Sequence, residues 1–134
     1  MCTDEKTDKQ TQIQVQLVDN WHARWREVLD AIDYLGQRPS LNIDTDGWLS
    51  ARHNLLVAFA EDESIAGHLS FRVQPVKGSD GMVVTDAGRP LVEAQLESLG
   101  VQPGFSREEV EAMLRDEAQR RAHALRCRQL VGFN

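Results

Sequence analysis

The sequence predicts an α+β fold built on a mixed β-sheet flanked by helices. Three observations carry that expectation. Leu91 to Phe133 reads as strand, tight loop, helix, strand. LLVAFAED and ESIAGHLSFRV are two apolar runs rich in strand formers, separated by a charged turn. Ahead of both, a segment of period two leads into one of helical period. Strand, helix, strand with short joints implies a right-handed crossover between parallel strands. Two strand-like runs around a short turn fold back antiparallel. A sheet containing both is mixed.

The chain has 134 residues, the size of one ordinary domain. Its 41% hydrophobic and 27% charged content suits a folded protein. Residues 1–10 are polar and read as a disordered tail, without the apolar centre of a signal peptide; residues 11–134 read as a single domain. A net charge of -6 argues against nucleic-acid and membrane-surface partners. No apolar run reaches the roughly 18 residues a membrane span needs. Cys2 and Cys127 lie at opposite ends with no CxxC spacing, so a disulfide framework is not expected. Cys127 reads as a buried structural thiol, and free thiols suit a cytoplasmic protein.

Ile13, Val15 and Leu17 alternate with Gln12, Gln14 and Gln16, a strand with one wet face. Asp19 or Asn20 then offers an N-cap. Trp21, Trp25, Val28, Leu29, Ile32 and Leu35 recur at helical spacing, and Gly36 and Pro39 close the helix. The two tryptophans read as core, with a substrate-facing aromatic wall as the alternative. Asn42, Asp44 and Asp46 are spaced by two, but a calcium loop counted from Asn42 ends at His53 where glutamate is required.

In the hairpin's second arm, alternation places Ile65, Gly67, Leu69, Phe71 and Val73 on one face. Ala66, His68, Ser70 and Arg72 fall on the other. His68 reads as a solvated or hydrogen-bonded sheet histidine. Gly67 marks a bulge or a close backbone approach. Gln74 to Pro90, with Pro75, Gly78, Gly81 and Gly88, reads as a long loop.

Leu91 to Val101 is the central strand, ended by Pro103 and Gly104. Ser106 and Glu109 have capping-box spacing, the serine accepting from the amide of Glu109 and the glutamate reaching back to the serine amide. Val110, Met113, Leu114, Ala118, Ala122 and Leu125 mark the buried helix face. Arg126 to Gly132 is the final strand, with Leu130 and Phe133 as core contacts.

This order of elements resembles the GNAT superfamily of N-acetyltransferases. Val57-Ala58-Phe59-Ala60 and Ile65-Ala66-Gly67 resemble its hairpin. Leu99-Gly100-Val101-Gln102-Pro103-Gly104-Phe105 resembles its L-x-V-x-P-x-Y exit from the central strand. Ala122 to Leu130 resembles its A-x-x-x-G-x-x-x-L run. The resemblance covers residues 11 to 133 and implies a GNAT-like sheet and transfer of an acyl group from acetyl-CoA to a small-molecule or peptide amine. It implies Glu93 and Glu97 as candidate bases on one face of the central strand. Leu99, Gly100 and Val101 would supply backbone contacts to the acyl donor, and Arg107 would meet a phosphate.

Two departures accompany it. The family's loop reads roughly R-G-x-G-I-G, bare backbone that closes on a pyrophosphate at a helix N-terminus. Here Ser106-Arg107-Glu108-Glu109-Val110-Glu111 stands in its place, bringing three carboxylates. The chain also ends just past the family's fifth strand, which leaves a sheet edge for a second copy or another partner chain to cover. The departures favour an alternative function: a noncatalytic binding or regulatory module on the same fold, acting through protein contacts.

Overall fold

The computed structural model describes residues 12–41, 43–50 and 53–132. The tail expected over residues 1–10, with Cys2, and the core contact expected of Phe133 lie outside them. The elements are β1 (Ile13–Val18), α1 (Trp25–Tyr34), a short 3-10 turn (Arg38–Leu41), β2 (His53–Ala60), β3 (Ile65–Pro75), β4 (Thr85–Asp86), β5 (Arg89–Pro90), β6 (Val92–Val101), α2 (Arg107–Ala124) and β7 (Leu130–Val131). The main sheet runs β1-β2-β3-β6-β7. Its first three junctions are antiparallel and β6 with β7 is parallel. This is the mixed sheet that a hairpin plus a crossover requires.

The sheet has a core on each face. Leu56, Leu69, Phe71, Ala94 and Leu96 meet Val110, Leu114, Ala118 and Ala122 of α2. On the other face Leu55, Val57 and Phe59 meet Val28 and Ile32 of α1, together with Leu41, Ile43 and Leu49.

α1 begins later than its apolar spacing suggests. The expected caps are used elsewhere: Asp19 Oδ1 accepts from the Trp21 amide, and Asn20 exchanges two hydrogen bonds with the Leu49 backbone. Residues 19–24 therefore form turns, and the helix starts at Trp25 without a side-chain cap. Trp25 packs against the α1 core and donates to Gly47 O at 2.9 Å. Trp21 is 80% exposed and stands edge-on to Trp48, with ring centres 5.2 Å apart. One of the two tryptophans is therefore core, and the other is not.

In β3 the alternation slips once. The register passes from Ala58↔Gly67 to Phe59↔Ile65, leaving Ala66 as an extra residue. Ile65 consequently joins the α1 core while Leu69 and Phe71 join the α2 core, against the single face expected for all three. Gly67 sits where β3, β6 and α2 converge. A Cβ there would lie 2.6 Å from Gly100 O and 3.0 Å from Val110 Cγ1.

The segment 74–90 is more ordered than a loop. β3 runs on to Pro75, Lys77 bridges Val83, and β4 pairs β5. The ladder between β3 and β6 is thus extended into a narrow ribbon rather than broken.

At α2 half of the capping box forms. Ser106 Oγ accepts from Glu109 N at 3.3 Å, but Glu109 makes no return bond among the described residues. Leu125, expected on the buried face, is 48% exposed. The helix has ended at Ala124, and Arg126 takes a left-handed φ of 65° that turns the chain away. The strand expected over Arg126 to Gly132 is reduced to Leu130–Val131, paired with Ala94 and Gln95. Cys127 is buried against the α2 core, and burial raises its thiol pKa, with Glu93 adding to the effect.

Candidate active site at the bulge of β6

Ala94 and Leu96 face α2, and alternation would turn Leu99 and Val101 toward α1. Instead both pack at the margin of the α2 core. The register against β3 explains this. Ser70 pairs with Ser98 and Phe71 with Leu96, so Glu97 is an extra residue in β6. Such a bulge sets two successive side chains on one face and re-aims them. Here Glu97 and Ser98 both lie on the α1 face. The signal was present in the sequence: the core residues Leu96 and Leu99 are three apart inside a strand whose period is two.

The side chains around the bulge form two buried polar groups. In the first, Glu97 Oε1 lies 2.7 Å from His53 Nδ1, and Glu97 Oε2 lies 3.3 Å from Arg72 Nη2. The three come from β6, β2 and β3. Register places His53 opposite Arg72, and Glu97 reaches across β3 to both. The His53 side chain is 2% exposed and that of Glu97 16%, so the carboxylate forms the partly open lip of a closed cluster. The His53–Glu97 contact lies off the hydrogen-bond axis, and Ser70 Oγ and Arg72 Nε are buried without an aligned partner. Native interiors rarely leave such atoms unpaired, and those that remain ask for an explanation.

In the second group His68 Nε2 lies 2.9 Å from Ser98 Oγ, which donates to Gln37 Oε1 at 2.8 Å. The Ser98 proton is thus committed to Gln37, and His68 Nε2 must be the donor to Ser98. Burial pushes the His68 pKa down to about 4, so the ring is neutral at pH 7.

The backbone of β6 divides between its two edges. Gln102 N donates to Ala66 O on β3. By antiparallel alternation Gly100 also faces β3, while Leu99 and Val101 turn their N–H groups to the outer edge. On that side Ala94 N bonds Gln129 O, and β7 pairs only as far as Gln95. Among the described residues nothing pairs with the outer edge of β6 beyond that point. Strand and bulge together thus present free amides next to a carboxylate.

The residues singled out from sequence are therefore separated. Glu97 is in the cluster. Glu93 shares its face, four positions down the strand, and accepts from Gln74 Nε2 at 3.0 Å. Strand rise puts the two carboxylates about 13 Å apart, too far to work as a pair. Leu99 and Val101 line the outer edge, and Gly100 is turned to β3, packed under Leu35 and His68. Arg107 is paired with Glu111 at 2.8 Å on the surface of α2. His53, Arg72, Ser70 and Ser98 were not anticipated, because alternation along a strand does not disclose which residues lie opposite on the next.

Beside the N-terminus of α2 a cavity of about 500 Å³ opens, lined by Ile13, Phe105 and Val110 and by the carboxylates Glu61, Asp62 and Glu109. No helix among the described residues is long and apolar enough to cross a membrane.

A mixed sheet between two helices is an arrangement with solved counterparts. A GNAT family acetyltransferase from Staphylococcus aureus superposes with a TM-score of 0.63 at 13% identity, over 92% of this chain and 87% of that one. The chain has the GNAT fold. A ribosomal-protein-alanine N-acetyltransferase from Brucella melitensis gives a TM-score of 0.63 at 15% identity, over 90% of this chain and 78% of the other. The aminoglycoside N-acetyltransferase AAC(6')-Iy, solved in complex with CoA, gives 0.60 at 13% identity, over 91% and 76%. At these identities the likeness to GNAT structures is one of fold. No protein-family model and no curated sequence matches the chain.

Proposed function

We propose that the protein is an N-acyltransferase that moves an acyl group from an acyl-CoA-type thioester to an amine, with Glu97 as the base. The observation that carries this reading is the bulge of β6, which sets a partly buried carboxylate two residues from the first free amide of an open strand edge. The GNAT fold of the chain, and the CoA complex of one structural neighbour, support the donor class.

The residues fit the acyl end of such a donor. Leu99 and Val101 offer N–H groups along the outer edge of β6, in the manner of a strand receiving an extended arm. The N-terminus of α2 suits a diphosphate less well. Ser106 Oγ already takes the Glu109 amide, Glu108 and Glu109 stand in the first turn, and Arg107 is paired with Glu111. When bound, the donor supplies a thioester carbonyl open to attack. The protein supplies position and proton transfer. The free amides of β6 orient and polarise the carbonyl. The Glu97 carboxylate takes the proton from the acceptor's ammonium, so that the neutral amine is the nucleophile. The acceptor is an amine of a small molecule or a peptide.

Thermal unfolding with acetyl-CoA, followed by assay of thiol release with a panel of amines, tests the reading. A ligand at 100 times its Kd stabilises the folded state by about 2.7 kcal/mol. The expected result is stabilisation reversed by CoA competition, and turnover that falls 10²- to 10⁴-fold in Glu97→Gln, the usual range for loss of a general base. Absence of stabilisation at millimolar acetyl-CoA overturns the reading. Binding without turnover leaves a noncatalytic GNAT-fold module.

A further inference from the structure

His53 enters β2 at its first residue, and its side chain is 2% exposed beneath Glu97. We propose that His53 is the positioning residue of the Glu97 carboxylate: its Nδ1 stands 2.7 Å from Oε1, Arg72 Nη2 stands 3.3 Å from Oε2, and the two together fix the carboxylate at the bulge. The inference rests on the acyl-transfer reading for its role in turnover, but its structural content stands separately.

The two atoms stand 2.7 Å apart, and neither has another partner in the described structure. Among the described residues the charged groups that face His53 are Glu97 from β6 and Arg72 from β3. The two oxygens of the carboxylate are therefore held from different strands. The carboxylate cannot swing away, and its open lip is where an acceptor amine would arrive.

Stability does not account for the cluster. A buried ion pair replaced by apolar groups of similar volume is often neutral or stabilising. This cluster also leaves Ser70 Oγ and Arg72 Nε unpaired, a cost that a purely structural arrangement has no reason to keep. Titratable groups held in this way, next to an open backbone edge, are the arrangement expected of a base with a fixed aim.

The test uses side-chain carbon NMR of Glu97 and imidazole NMR of His53 in the full chain, alongside kcat and KM measured separately. His53→Phe removes one of the two groups that hold the carboxylate; it is expected to displace the Glu97 carboxylate resonance and to lower kcat about 10- to 100-fold with the acceptor's KM little changed. His53→Asn keeps an N–H near the Nδ1 position and should restore both. In Glu97→Gln the His53 imidazole resonances should move in turn. If the Glu97 resonance is the same in wild type and His53→Phe, the proposal is overturned. Should His53→Phe fail to fold, the Glu97→Gln arm decides: unmoved His53 resonances overturn the proposal, and displaced ones support it. A displaced Glu97 resonance in a protein that shows no turnover supports the pairing and removes only the acyl-transfer reading.

Discussion

Ser98 Oγ donates to Gln37 Oε1 at 2.8 Å, joining β6 to the segment after α1 across 61 positions of sequence. The same oxygen accepts from His68, so one hydroxyl closes a chain of three buried side chains. It can do so because the bulge at Glu97 turns Ser98 to the α1 face.

His68 makes stability depend on pH. Its folded pKa of about 4 lies below the ordinary histidine value near 6.5. Between these values the unfolded chain binds more protons than the folded one, so stability is complete above about pH 6.5 and declines as pH falls toward 4. By pH 5 the expected loss is about 2 kcal/mol, read from urea midpoints at pH 7 and pH 5. His68→Gln, which keeps an amide N–H for Ser98, should abolish that slope. A slope unchanged in the variant would assign it to other groups.

Gly67 and Gly100 both pack too tightly for a side chain, but against different neighbours. A Cβ at Gly100 would meet Leu35 Cδ1 at 2.7 Å and His68 Cε1 at 2.9 Å, and the leucine end can move. At Gly67 it would meet the Gly100 carbonyl oxygen at 2.6 Å, which is backbone in the middle of the sheet. Gly67→Ala is therefore expected to destabilise by about 3 kcal/mol or more, and Gly100→Ala by about 1 to 2. Denaturant titration of both variants checks the order, and a reversal would mean that the sheet opens there more readily than it packs.

The acidic first turn of α2 should weaken a diphosphate-bearing donor and leave a diphosphate-free one untouched. Replacing Glu108 and Glu109 with glutamine removes two like charges, each worth about 1 kcal/mol at 4 Å in water and less at greater range. The expected effect is acetyl-CoA binding tightened several-fold at low salt, with S-acetylpantetheine unchanged. Equal effects on both ligands in calorimetry would show that the donor's diphosphate lies elsewhere.

The fold was legible where local chemistry and topology agree. The charged turn Glu61–Ser64 between two apolar runs could only be a hairpin, and Ser106 marked the start of α2 within a residue. The site was legible only in part. Glu97 could be named from its strand, but His53 and Arg72 belong to it through cross-strand register, which alternation does not encode. The sequence starts α1 too early because Asp19 and Asn20 look like caps, while their side chains serve a turn and the Leu49 backbone. The segment 74–90 carries enough glycine and proline to read as a loop, although its backbone continues the ladder of β3 and β6.

The extra residue in β6 also governs how the chain tolerates length changes. Ser98 to Val101 keep their sides of the sheet because Glu97 is left out of the pairing with β3. Deleting Glu97 would remove the carboxylate and the bulge together and leave the faces alone. The ladder would run on with Leu96 opposite Phe71 and Ser98 opposite Ser70, so Ser98 would stay on the α1 face and Leu99 on the α2 face. A relative lacking that residue would keep its polar and apolar positions downstream, so an alignment with a single gap here pairs residues that face the same side, and an ungapped one pairs residues that face opposite sides.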